Sequence, residues 1–478
     1  MANFFPIFPE ALLLILGVLV LVIDPFIKKD DVQRSILGWL TFSGLLATML
    51  VSLLFARPAT SILVFGGMIR FDWMGFLFKM FFIFAALVTS LFFLDTETLN
   101  KRAESYLLLL VATIGMCLMA SSADLVMLYL AIETTSIPLY ILAGFLKGSD
   151  KSTESGFKYM LFGAMTSAIL LYGFSLIYGF TGKTNLYQLS LYFSNFNLVT
   201  LGITFLVLAG LAFKVSLFPF HFWAPDVYEG SPTPVAGFLS TASKAAGFAV
   251  VIRLLTAVFP VVSVSWSNIL AILSVLTMTV GNLIALTQKS VKRMLAYSSI
   301  AHAGYAMIGV VAFSKFGMAT VVFYLIAYVL TNLLAFGIVA IVGRQTGSDD
   351  FTAYYGLSRR NPTLALAALV AFLSLAGMPP FAGFVAKFFI FAAAIQSGWI
   401  WLAIVGIINS IVGLYYYLNV LKYIYLYRME KEDEEQHPLA IPKPAVIASV
   451  ILVIGILLVG VAFGPWFGLS TGMAASLF

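Results

Sequence analysis

Apolar residues run along this chain in blocks of about 17–25, each closed by a short polar or Gly/Pro segment. That is the pattern a bundle of membrane-crossing helices imposes on a sequence. Fourteen blocks are counted, centred near residues 18, 46, 83, 112, 133, 168, 208, 245, 276, 303, 330, 378, 412 and 457. Only SSAD (121–124) separates the fourth from the fifth. The pattern therefore predicts an all-α integral membrane fold of about 14 transmembrane helices. Two blocks are interrupted. The seventh reads AGLAFKVSLFPFHFWAPDVYEGSPTPV, with Lys214 five residues before Pro219. The twelfth reads SLAGMPPFAGFVAKFFIF, with Lys387 seven residues after Pro380. Proline removes a backbone donor and clashes with the preceding turn, so helices 7 and 12 are expected to be discontinuous. They lie five blocks apart, and five is odd, so they cross the membrane in opposite directions. This spacing predicts two inverted five-helix repeats, spans 4–8 and 9–13. The expected division is residues 1–100 for three N-terminal spans, 101–260 and 261–430 for the repeats, and 431–478 for an acidic loop and the last span.

Composition narrows the class further. Of 478 residues, 61% are hydrophobic and 10% charged, against roughly 45–50% and about 25% in soluble domains. The net charge of +6 does not point to nucleic acid, because no basic stripe or aromatic platform accompanies it. It reflects orientation instead. With the N-terminus outside, the inner loops hold seventeen of the 27 Lys and Arg residues and the outer loops only Arg57, Arg70, Lys183 and Lys315. The positive-inside rule then places both termini on the outer side. The run KEDEEQ (431–436) is expected to be a solvated inner loop. The N-terminal MANFFPIFPEALLLILGVLVLVIDPF has no basic n-region or small-residue cleavage site, so it is expected to be a retained first span. One cysteine, Cys117, excludes a disulfide framework and reads as a small core residue. Three histidines form no spaced metal-ligand set, so no metal site is expected.

Six cations remain inside apolar blocks: Lys79, Lys158, Lys214, Lys244, Arg253 and Lys387. A lysine at mid-bilayer costs about 2.5–3.5 kcal/mol on insertion scales, so each must snorkel, pair, or line a hydrated cavity. Lys79 and Arg253 sit near span ends and are expected to snorkel. Lys214, Lys244 and Lys387 are deeper, which suits proton carriers, with a structural ion pair as the plain alternative. Glu133, in YLAIETTSIPLYILAGF, is a carboxylate well inside a span, five residues before Pro138. Lys158, at the start of the next helix, is placed to reach it across the hairpin, and such a pair would tune a nearby lysine. His302 keeps company with Ser298, Ser299 and Tyr305, as a titratable position would. His221 sits at the helix break and reads equally as structural or functional.

These residues fall in motifs that resemble a known family. FKVSLFPFHFWAPDVYEGSPTPVAGFLSTASKAAGFA (213–249), QKSVKRMLAYSSIAHAGYAMIG (288–309) and SLAGMPPFAGFVAKFFIF (374–391) closely resemble the antiporter-like membrane subunits, of the N type, in proton-translocating NADH–quinone oxidoreductase (respiratory complex I). The resemblance runs from the first span to the fourteenth. It implies a midplane relay in which Glu133 and Lys158 form the charge pair. Lys214 matches the lysine at the break of helix 7, Lys244 the bridging lysine of helix 8, His302 the histidine of helix 10, and Lys387 the lysine of helix 12. It also implies other membrane subunits of complex I as partners, protons as the cargo, and a bacterial cytoplasmic membrane or its equivalent as the location. NADH, FMN, iron–sulfur clusters and quinone would belong to partner subunits, because this chain carries no Cys cluster and no dinucleotide fingerprint. A sodium–proton antiporter subunit of the multi-subunit type shares the architecture and is the alternative, against which VYEGSPTPV argues. A purely structural membrane subunit is a second alternative.

Overall fold

The computed structural model describes residues 4–27, 31–193, 198–260, 263–428 and 438–477. The acidic run 431–436 and the pair Lys28 and Lys29 lie outside the described residues. Helices α1 (Phe8–Ile23) and α2 (Asp31–Phe55) open the chain. A short antiparallel hairpin follows, β1 (Ile62–Val64) on β2 (Ile69–Phe71), with Ile62 opposite Phe71. Then come α3 (Trp73–Asp95), α4 (Ala103–Ser121), α5 (Leu125–Ala143), α6 (Asp150–Thr181) and α7 (Leu198–Val215). The short α8 (Trp223–Gly230) precedes α9 (Thr233–Ala257), α10 (Ser263–Ala285), α11 (Val291–Val311) and α12 (Lys315–Thr346). The chain continues through α13 (Pro362–Ala376), α14 (Ala382–Gln396), α15 (Ile400–Tyr425), α16 (Lys443–Val461) and α17 (Phe463–Ala475).

Among the described residues, thirteen helices are long and apolar enough to cross a membrane. The other two apolar helices, α13 and α14, are 15 residues each and follow one another where the twelfth apolar block is counted. The two interruptions fall where the prolines sit: α7 stops at Val215 and α8 begins at Trp223, and α13 stops at Ala376 before α14 resumes at Ala382. Both breaks contain a cis X-Pro bond, Phe218–Pro219 and Pro379–Pro380. The 13-residue α17 beyond the last span was not foreseen; it packs on α12 and α3.

The loops gather at two ends, as alternating crossings require. At one end Ala123 donates to Met68 O and Leu186 to Ala123 O, so the hairpin and two interhelix loops form one cap. At the other, Val291 donates to Asp349 O and Phe351 to Lys289 O. The core between them is continuous, and α9 and α11 are its most enclosed helices.

Two cations expected to snorkel do not. Lys79 Nζ lies 2.7 Å from Glu10 Oε1 and donates to Pro6 O at 2.7 Å. Arg253 donates to both Asp72 oxygens at 2.9 and 3.0 Å, to the Tyr187 hydroxyl and to Ala120 O. Snorkelling needs a route to water along the helix flank. Here α3 and α9 are covered by other spans, so each head group finds a carboxylate inside the protein instead.

Candidate functional site

A row of buried basic side chains runs through the middle of the bundle. Lys214, Lys244, His302 and Lys387 are 5, 2, 6 and 5% exposed. None of them lies within 4 Å of a carboxylate among the described residues. The ion-pair alternative for the three lysines therefore does not describe them.

Lys214 sits in the last turn of α7, at the edge of the first break, and donates to Ser136 Oγ on α5. Ser136 is one turn beyond Glu133, so the two share a helix face. Glu133 accepts from Ser167 of α6. Ser136, Ser167 and Lys214 line one narrow space with Tyr140. The expected Glu133–Lys158 pair is absent. Lys158 binds Asp226 and Glu154, each at 2.6 Å. The reason is helical geometry: the α6 residue facing Glu133 is Ser167, nine residues beyond Lys158, or roughly 13 Å along the axis.

Lys244 follows a π-helical turn, Leu239–Ser243, a register slip of the kind that clusters at functional sites. Its Nζ donates to Ser299 O at 2.9 Å and to Ser299 Oγ at 2.8 Å, and lies 5.7 Å from the centre of the Tyr228 ring. The Tyr228 hydroxyl approaches Ser216 and Ser299, and the Tyr328 hydroxyl approaches Ser299, without reaching hydrogen-bond geometry. Polar atoms thus continue from the first break, through Ser216 and Tyr228, to Lys244.

His302, one turn after Ser299, has Nδ1 2.6 Å from the Tyr324 hydroxyl and Nε2 3.1 Å from that of Tyr417. Tyr417 in turn meets Ser298 at 2.6 Å. His302 and Lys387 line a common narrow space with Tyr324, Tyr328 and Ser374. Lys387 Nζ donates to Leu375 O at 3.0 Å, Ala376 O at 3.1 Å and Ser410 Oγ at 2.9 Å. Leu375 and Ala376 close α13, so their carbonyls are among those a helix end leaves without intrahelical donors. The break supplies the lysine's ligands.

The model of the family NADH:quinone oxidoreductase/Mrp antiporter, TM, matches residues 122–413, the stretch that holds all six of the sequence-predicted site residues. The chain belongs to this family. Within it, NADH-quinone oxidoreductase subunit N of Trichlorobacter lovleyi is 41% identical over 468 residues, 96% of this chain and 94% of that protein. A chain of respiratory complex I from Thermus thermophilus is 35% identical, superposes with a TM-score of 0.80, and covers 96% of this chain and 98% of its own. A chain of the Mrp complex from Dietzia, 23% identical, superposes at 0.84, with 99 and 97% covered; that likeness shows the shared fold. Sequence reasoning passed over several residues that the structure brings to this row or its supports. Asp226 and Glu229 stand in the segment DVYEG (226–230) at helical i, i+3 spacing, which is a usable signal. The hydroxyls of Ser136, Ser410, Tyr324 and Tyr417 carry no signal that separates them from others in apolar spans.

Proposed function

We propose that this chain is an N-type antiporter-like subunit of an NADH–quinone oxidoreductase, and that it carries protons across the membrane while partner subunits pass electrons from NADH to quinone. The observation that carries this reading is the row Lys214, Lys244, His302, Lys387: buried, basic, bound only to hydroxyls, backbone carbonyls and phenols, and anchored at two broken helices. A proton held by such a group is not pinned by a counter-ion. Buried polar atoms need partners, and the unpartnered Ser216, Tyr228 and Tyr328 hydroxyls are places where water completes a hydrogen-bonded path.

On this reading a proton from the cytoplasmic side reaches Lys214, passes Lys244 and His302, and leaves by Lys387. Glu133, acting through the Ser136 and Ser167 wall, favours the protonated state of Lys214. Residues 101–260 and 261–430 serve as inverted repeats. Besides the paired breaks, the two 32-residue helices α6 and α12, each directly before a broken crossing, support that. Both termini face outward, in a bacterial cytoplasmic membrane. FMN, iron–sulfur clusters and quinone sit in partner subunits.

The test is Lys214→Ala in the whole complex. Quinone reduction and proton pumping should fall together, about tenfold or more, with assembly intact by native gel. Glu133→Gln should act in the same direction, more mildly. Wild-type pumping by an assembled Lys214→Ala complex would reject the reading in favour of a structural subunit. Sodium transport by the reconstituted complex would favour the antiporter alternative.

A further inference from the structure

Helix α8 is the short inner half of the first broken crossing, and three helices hold it. Asp226 and Glu229, on one of its faces, bind cations from both sides. Lys158 of α6 meets Asp226 at 2.6 Å, and Lys151 of α6 meets Glu229 at 3.0 Å. Arg293 of α11 spans both carboxylates, through Nη2 to Asp226 at 3.1 Å and through Nη1 to Glu229. Ser155 donates to Val227 O at 2.9 Å, and Lys292 to Ser231 O at 2.8 Å. Tyr159 stacks on Trp223, 4.5 Å between ring centres and 6° from parallel, and Trp223 Nε1 donates to Phe213 O beside Lys214. Residues 151, 155, 158 and 159 recur at i, i+4, i+7 and i+8, which is one stripe of α6. Every member of that stripe contacts α8 or the residue that begins it.

We infer that Lys158 is a positioning residue: it clasps α8 through Asp226, fixing the Tyr228 ring against Lys244, and does not exchange its proton with Glu133. The inference rests on the proton-carrying reading, since Tyr228 matters only if the path from Ser216 to Lys244 does. Its physical basis is that α8, at eight residues, makes about one turn of self-supporting hydrogen bonds. External contacts must therefore set its direction. Tyr228 projects from it toward Lys244, which Ser299 of α11 holds.

The two roles predict opposite behaviour for a charge-preserving substitution. A guanidinium can hold Asp226 but does not give up its proton. Lys158→Arg should therefore keep most of the coupled activity, within about twofold, with the pH profile of the parent. Lys158→Met should lose several-fold in an assembled complex. Asp226→Asn should lose a similar amount, and the double variant should be little worse than either single one, because both break the same contact. Lys158→Met and Glu133→Gln should instead multiply. Lys158→Arg as inactive as Lys158→Met in assembled complex would overturn the inference. So would non-additivity of Lys158→Met with Glu133→Gln in place of Asp226→Asn. Lys214→Ala measured alongside keeps the two readings apart: if it pumps normally the relay itself fails, whereas a dead Lys214→Ala with a dead Lys158→Arg removes only the clasp. Should Lys158→Met not assemble, the Arg variant decides alone.

Discussion

Lys387 and Arg253 are both buried cations, and they differ in what their removal leaves behind. Lys387 gives three hydrogen bonds to two helix-end carbonyls and a serine, so Lys387→Met strands no charge. Each lost bond costs about 0.5–1.5 kcal/mol net; the complex should assemble, as native gels would show, and pump poorly in vesicles. Arg253→Leu leaves the buried Asp72 with Arg70, at 3.2 Å, as its one cation among the described residues, beside the Gly75 N–H at 2.8 Å. Breaking a buried pair costs about 3–5 kcal/mol, so assembly itself should fail, and Asp72→Leu in the same chain should restore part of it. An assembled Arg253→Leu complex, or a missing Lys387→Met one, would reverse these assignments. The Asp72–Arg253 pair also sets an acid limit. Burial pushes the Asp72 carboxyl up, but the Arg253 charge and its hydrogen bonds outweigh burial and leave it below its ordinary 3.8. With the folded value below the unfolded one, this stabilisation is complete above the unfolded value and is lost as the pH falls through the folded one. Thermal unfolding of the solubilised complex should steepen below about pH 4, and Asp72→Asn should be weaker at neutral pH yet flatter in acid.

At the scale of elements, two glycines decide whether the second break can close around its lysine. Gly377 has φ +84°, and a Cβ there would lie 2.9 Å from Lys387 Cδ. Gly377→Ala should cost about 1–2 kcal/mol of backbone strain and displace the lysine, lowering pumping more than assembly. Gly383 is stricter, since its Cβ would sit 1.8 Å from the Ser374 carbonyl; Gly383→Ala should prevent α14 from docking on α13, and no complex should be recovered. The breaks were legible because proline and glycine punctuate a helix wherever they occur. The π-turn before Lys244 was not, since nothing in LSTAS distinguishes a slipped register from a straight one. The hydroxyl ligands were not legible either, for a physical reason. Most Ser and Thr in these spans return their hydroxyl to the carbonyl three or four residues back, as Thr89, Thr113, Ser121 and Thr331 do. Such residues are what an apolar helix tolerates anyway, so Ser136 or Ser410 does not stand out. Lys158 was misread because span order puts α5 beside α6 but does not say which turn of one faces which turn of the other.

For the whole molecule, the long apolar helices were readable because bilayer thickness fixes block length, whereas α17 falls below that length and hid behind the last span. The two long helices α6 and α12 cap alike, each ending at a left-handed glycine, Gly182 and Gly347, so the chain turns sharply after its longest runs. The second broken crossing has a further consequence, for how the chain enters a membrane. At 15 residues, α13 and α14 are each roughly 22 Å long, short of the ~30 Å hydrocarbon core. A nascent chain that had delivered only α13 would leave its last carbonyls bare at mid-bilayer, where nothing but protein or water can satisfy them. Integration of the two halves must therefore be a single event, completed when Lys387 arrives to occupy those carbonyls. Ribosome-tethered chains with α13 alone outside the exit tunnel should remain extractable by alkaline carbonate, and those long enough to expose α14 as well should not.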